Sequence, residues 1–209
     1  MSDKIKIACV GDSITFGYGS NQPETDSYPA LLQNLLGDKF HVKNFGICCA
    51  CVLETADFPY KDSAAYPASL RFLPDIVILM LGTNDAKLAN FAKSRWHYAK
   101  DLAALVGDYE NLPSKPRVFL ATSPKVWKVP GENIHDYAIL PEIVEQCIIP
   151  MQKELTSLYD MPVIDINELT QDKKGFFPDS IHPNNEGYEF LAKHIYEAIA
   201  DFADTLVFN

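Results

Sequence analysis

The chain has 209 residues, of which 47% are hydrophobic and 22% charged; that is enough for one well-buried core and too short for two comfortable domains, so residues 1–209 read as a single domain. A formal net charge of −10 and a pI near 4.9 surround it with a negative field that argues against nucleic acid or an anionic membrane surface as partner. No apolar run approaches the roughly 20 residues needed to cross a bilayer, and no cleavable leader is legible near Met1, so the expected location is cytoplasmic.

Apolar runs and helix-period segments alternate along the whole chain, which predicts strand–helix units around a parallel sheet. Residues 4–10 (KIKIACV) form the first strand, with Gly11, Asp12 and Ser13 just past its carboxyl end. Ser27 reads as the cap of a helix whose apolar face is Tyr28, Leu31, Leu32, Leu35 and Leu36, ended by Gly37. A short strand over 40–45 follows, then a helix over 63–72 and, past Pro74, the unbroken apolar run 75–81 of a strand covered on both faces. The spacing next predicts a helix over 94–109, a strand over 117–121 and a long loop over 124–140 at the sheet's carboxyl edge. Pro141 suits the first turn of a helix that Pro150 should interrupt near Gln146. A last strand over 163–166 leads to a terminal helix from Asn185, with Tyr188, Leu191, Ile195 and Ile199 on its apolar stripe. The result is a doubly wound three-layer α/β/α sandwich, a fold that places its sites beyond the carboxyl ends of its strands.

Chemistry gathers at those ends. A serine hydroxyl needs a base to take its proton, and the base needs an acid to fix its tautomer. Ser13 supplies the hydroxyl, while Asp179 and His182 stand three residues apart in a segment flanked by Pro178 and Pro183. Asn84, after the third strand, is the candidate side-chain donor to a developing oxyanion, beside the backbone N–H of Ser13 and one from the loop after Gly46. Asp12 and Asp85 are expected to accept from nearby backbone N–H groups. His41, His97, His135 and His194 are set aside, lacking an acid at comparable spacing.

Five cysteines (Cys9, Cys48, Cys49, Cys51, Cys147) are an odd number and do not suggest a disulfide framework. The cluster at 48, 49 and 51 lacks the second Cys/His pair of a closed zinc site, so no metal is expected. Small apolar fillers under the site loop are the plain reading of these thiols, and a redox switch is the alternative. Tyr18, Phe58, Tyr60, Tyr66, Trp96 and Tyr137 read as core or helix-face aromatics; Trp127, in the long loop, is a candidate to stack on a sugar or wall an acyl pocket.

Taken in order, Gly-Asp-Ser-Ile-Thr at 11–15, Asn-Phe-Gly at 44–46, Gly-Thr-Asn-Asp at 82–85 and Asp-Ser-Ile-His-Pro at 179–183 resemble the four blocks of the SGNH (GDSL-type) hydrolases. The resemblance implies a flavodoxin-like five-stranded parallel sheet of order 2-1-3-4-5 and metal-free esterase, lipase or carbohydrate deacetylase activity without a cofactor. It assigns Ser13 as nucleophile, Asp179 and His182 as its partners, and Ser13, Cys49 and Asn84 as oxyanion donors. Cys49 stands where the family commonly has glycine, which bears on the loop's conformation because glycine tolerates positive φ and a Cβ does not. The expected substrate is a small or oligosaccharide acyl ester, most simply an acetyl ester. Lysophospholipase, platelet-activating-factor-type acetylhydrolase or acyl thioesterase activity is the alternative, and a non-catalytic carbohydrate binder another. Flavin or nucleotide binding is disfavoured, since no G-x-G-x-x-G or G-x-x-x-x-G-K-[ST] loop is present. Nothing in the sequence speaks to oligomeric state.

Overall fold

Alternation of side chains along each strand sets the layers. The structure, a computed structural model, describes residues 4–128 and 138–207. Strand β1 (Ile5–Gly11) sends Ile7 and Cys9 to one face and Ala8 and Val10 to the other, all fully buried. Short helices α1 (Ser13–Phe16) and α2 (Pro23–Asp26) lead to α3 (Tyr28–Leu36) and β2 (Phe40–Gly46). Then come α4 (Ala65–Arg71), β3 (Ile76–Met80), α5 (Leu88–Ser94), α6 (Tyr98–Glu110) and β4 (Arg117–Ala121). The last third holds α7 (Pro141–Ile143), α8 (Ile149–Leu158), β5 (Val163–Ile164), α9 (Ile166–Leu169) and α10 (Asn185–Val207).

All five strands are parallel, in the order 2-1-3-4-5. One core joins Val10 and Leu79 to Leu102 and Leu105 of α6 and Leu155 of α8; the other joins Ile7 and Ile78 to Leu32 of α3 and Leu191, Ile195 and Ile199 of α10. Burying each such side chain contributes about 1.5–3 kcal/mol, so neither helical layer is dispensable. Among the described residues no helix is long and apolar enough to cross a membrane.

Several local expectations need amendment. Ser27 does occupy the cap of α3, but its side chain makes no capping bond, and Pro29 near the helix start presets the first turn instead. The helix expected over 94–109 begins at Tyr98, because α5 and a tight turn over Arg95–His97 come first. Strand β5 stops at Ile164, since the Asp165 carboxylate accepts the Glu168 N–H and starts α9, a side-chain bond that competes with the ladder. Pro150 does interrupt its helix: a wide π turn over Val144–Ile148, centred on Gln146, separates α7 from α8 and absorbs the carbonyl that proline cannot serve.

At the carboxyl rim, β2 and α1 touch backbone to backbone. Asn44 ties them, donating from Nδ2 to the Thr15 carbonyl at 2.8 Å while its Oδ1 accepts the Gly46 N–H at 2.8 Å. A Cβ on Gly46 would lie 2.2 Å from the Phe16 nitrogen and 2.6 Å from the Thr15 carbonyl carbon. Gly46→Ala is therefore expected to cost about 1–3 kcal/mol in urea unfolding, because backbone must move to admit the methyl. Gly175→Ala, where a Cβ meets nothing within 4 Å, should stay within about 0.5 kcal/mol of the parent.

Candidate active site

Ser13 is the first residue of α1, so its N–H has no acceptor within the helix. Asp12 caps that helix by accepting the Ile14 N–H at 2.9 Å, and the Thr15 hydroxyl meets the buried Tyr28 hydroxyl at 3.1 Å. Burial pushes the Asp12 pKa up to about 6, against the pull of the Ile14 N–H and of His182.

Some 169 residues later the chain returns. His182 Nε2 lies 2.9 Å from Ser13 Oγ, and Nδ1 lies 2.6 Å from Asp179 Oδ2. The other Asp179 oxygen accepts the backbone N–H groups of Ile181 at 2.9 Å and His182 at 2.7 Å. Burial works to raise the Asp179 pKa, but the His182 ring and these two N–H groups outweigh it and bring it to about 2. An ionised carboxylate can only accept, so Nδ1 carries the proton and Nε2 turns its lone pair to the Ser13 hydroxyl. Ser180, between acid and base, sits in left-handed conformation (φ 71°), a strain that Phe177 O and the Trp127 N–H hold in place through bonds to the Ser180 backbone at 2.9 and 3.0 Å.

A cavity of about 80 Å³ opens beside these groups, lined by Ser13, Tyr18, Cys48, Cys49, Asn84, Ile139 and His182. Asn84, buried at the end of β3, gives one amide hydrogen to the Ala50 carbonyl at 3.2 Å, which fixes the amide and leaves its second N–H for the cavity it lines. Asp85 anchors the facing loop, its two oxygens accepting Val52 N–H at 3.0 Å and Leu53 N–H at 2.8 Å. On that loop Cys49 adopts φ 67°, the region glycine favours, at a cost of roughly 1–2 kcal/mol for a residue with a Cβ. The loop thus keeps the glycine-type backbone with cysteine in place. Among the described residues no group of three or more His, Cys, Asp or Glu is arranged to hold a metal ion.

The GDSL-like Lipase/Acylhydrolase family model matches residues 9–190. The chain belongs to that family. It is 35% identical to an acetylxylan esterase of Xylanibacter ruminicola over 94% of its own length, yet spans only 43% of that relative. Among solved structures it resembles a carbohydrate acetylesterase from Sinorhizobium meliloti (TM-score 0.78, 20% identity, 95% of this chain and 100% of the other). It also resembles an aryl esterase of M. smegmatis (TM-score 0.73, 22% identity, 94% and 99%). At these identities the two structural likenesses speak to the fold.

The structure brings Ser13, His182, Asn84 and Cys49 of this GDSL-type chain to one cavity, with Asp179 bonded to His182 Nδ1 behind it. Trp127 stands apart, half-buried in a separate open groove with Lys125, Glu142 and Gln146. His135 and Tyr137 lie outside the described residues. His194 does have an acid at comparable spacing: Glu197, three residues on, approaches its Nδ1 at 3.1 Å on the outward side of α10, far from any serine partner among the described contacts. Of the cysteine cluster only Cys51 is a buried filler; Cys48 is half-buried and Cys49 exposed.

Sequence reasoning missed Tyr18 and Ile139. Tyr18 packs its ring 4.6 Å from the His182 ring at a 59° tilt, and its carbonyl accepts the Tyr188 hydroxyl at 2.7 Å. Gly17 and Gly19, both at positive φ, flank it; a Cβ on Gly19 would sit 2.8 Å from the Pro183 carbonyl oxygen and 3.2 Å from His182 Cβ. An aromatic between two glycines just past the first strand was the available signal. Ile139 reaches the rim because its segment bridges Lys87.

The fold favours ionised Asp179, so its contribution to stability is complete above its ordinary pKa near 3.8 and is lost as pH falls toward 2. The stability gap between the parent and Asp179→Asn should close as pH falls between about 4 and 2, followed by urea unfolding at each pH.

Proposed function

We propose that these residues act as one catalytic unit that hydrolyses short acyl esters, acetyl esters of a carbohydrate above all, through an acyl-enzyme on Ser13. The observation that carries this is the unbroken run of hydrogen bonds from Asp179 through His182 to Ser13 Oγ, ending in a cavity of about 80 Å³. A cavity of about 80 Å³ favours a small acyl group such as acetyl over a long chain. The likeness to the acetylxylan esterase supports the same substrate class.

In this reading Ser13 Oγ attacks the ester carbonyl as Nε2 of His182 takes its proton. Asp179 holds the imidazole in the required tautomer and offsets its charge. The carbonyl oxygen becomes negative and is met by the N–H groups of Ser13, Cys49 and the Asn84 side chain. His182 then returns the proton to the departing alcohol oxygen of the sugar. Water, deprotonated by the same nitrogen, attacks the acyl-enzyme and releases the acid and free Ser13.

A fluorophosphonate should label Ser13 stoichiometrically, and Ser13→Ala should abolish both labelling and acetate release from acetylated xylo-oligosaccharides, a loss of about 10⁴-fold or more in kcat. Asn84→Ala should lower kcat about 10²–10³-fold, because a donor to the oxyanion is gone. On p-nitrophenyl esters the acetate should be preferred; a preference for eight carbons or more would transfer the assignment to a lysophospholipase or thioesterase. Absence of any labelling at neutral pH would make the protein a binder.

A further inference from the structure

Two of the residues that line the Ser13 cavity are exposed, Tyr18 at 44% and Cys49, while Ser13, Asn84, Ile139 and His182 are buried. They stand at different ends of the reacting ester. The Cys49 N–H belongs, in the ester-hydrolase reading, to the donors that meet the carbonyl oxygen. Tyr18 belongs with the base: its ring centroid lies 4.6 Å from that of His182, at a 59° tilt. Nε2 of His182 has to hand its proton to the departing alcohol, so the alcohol oxygen must come within about 2.6–3.2 Å of that nitrogen. The rest of the alcohol begins one bond further on, in the neighbourhood of the Tyr18 ring.

The backbone that carries this ring is fixed on both sides. The Tyr18 N–H donates to the Ser13 carbonyl at 2.9 Å, and the Tyr18 carbonyl accepts the hydroxyl of buried Tyr188 at 2.7 Å. The Gly17 carbonyl accepts the Ser20 N–H at 3.2 Å and the Ser20 hydroxyl at 2.7 Å. A Cβ on Gly17, which sits at φ 104°, would lie 2.7 Å from the Ser27 Cβ, so the turn that presents Tyr18 has no looser alternative. An aromatic fixed in advance loses little freedom when a ligand packs on it, and the C–H face of a sugar gains dispersion contact with an aromatic plane.

We infer that Tyr18 is the specificity-determining residue for the alcohol side of the ester: the sugar that leaves packs on the Tyr18 ring, and this contact favours acetyl esters of sugars over those of small alcohols. The inference rests on the ester-hydrolase reading and adds to it the wall that selects the alcohol. The contact acts in acylation alone, because the alcohol has left before water attacks the acyl-enzyme. Binding energy from this remote part of the substrate therefore enters kcat/KM for a sugar ester and is missing for an ester of methanol.

The test compares kcat/KM for acetylated xylo-oligosaccharides with kcat/KM for methyl acetate in the parent, Tyr18→Leu and Tyr18→Phe. Tyr18→Leu is expected to lower the sugar-to-methyl ratio about tenfold or more, and Tyr18→Phe to keep it within about threefold of the parent. A loss shared by both esters reflects support of the imidazole and cancels in the ratio. Tyr18→Met is the second variant should the leucine variant fail to fold. The inference is overturned if the ratio stays within about twofold of the parent in Tyr18→Leu or Tyr18→Met while both esters slow together, or if Tyr18→Phe loses the ratio as they do. It is overturned too if neither the leucine nor the methionine variant labels at Ser13 with a fluorophosphonate while Tyr18→Phe does, since Tyr18 then acts only through His182. A parent that never labels at Ser13 overturns the ester-hydrolase reading itself, a distinct result.

Discussion

Parallel pairing of β1 with β2 on one side and β3 on the other is the constraint from which the site is built. Gly11 stands opposite Gly46 in one ladder and Met80 in the other, so three strand ends finish level on one rim. The register cannot drift, because a slip of one residue would turn Ile7 and Cys9 into the layer shaped for Ala8 and Val10. Level strand ends let α1, the Cys49 loop and the Asn84 turn converge, and the two glycines let them converge at backbone distance. The fourth contributor, the segment from Asp179 to His182, leads into α10, whose apolar stripe docks beneath β1 and β3 and whose cap is Asn184, accepting the Gly187 N–H at 2.9 Å.

Three carboxylates beneath this rim perform one kind of task under opposite electrostatic terms. Asp12, Asp85 and Asp179 each accept backbone N–H groups of the loop they organise. Asp12 and Asp85 are enclosed, and desolvation wins: Asp85 is pushed up to about 7. Asp179 is partly open to solvent and faces an imidazole, so attraction wins. Ionisation is therefore easy only for the carboxylate that must hold the imidazole, while the other two serve as structural acceptors. The negative field of the chain as a whole is not what sets this pattern, since under one net charge Asp12 and Asp85 shift up and Asp179 shifts down.

What was legible in the sequence was whatever short-range pattern dictates. Strand periodicity and the helical stripes of α3 and α10 set the layers, and the four blocks put Ser13, Asn84, Asp179 and His182 at the sheet's carboxyl rim. Boundaries failed where side chains competed locally with the regular pattern, as Asp165 does at β5, or where the separate helix α5 and the Arg95–His97 turn precede α6. Tyr18 was invisible as a site residue because its role comes from two glycines folding it back against a ring 164 positions away, a tertiary fact with no periodicity. Trp127 shows the converse: a loop aromatic looks like a substrate platform in sequence, yet its backbone N–H braces Ser180 while its ring lies in another groove.

Asp179 is bonded to His182 twice, through the backbone N–H and through the ring, and takes a third bond from the Ile181 N–H between them. Thermal wandering of that segment therefore carries both groups as one rigid body. The link between Nε2 and the Ser13 hydroxyl, at 2.9 Å, joins segments 169 residues apart, and the Tyr18 ring, from the hydroxyl's own end of the chain, packs on the imidazole beside it.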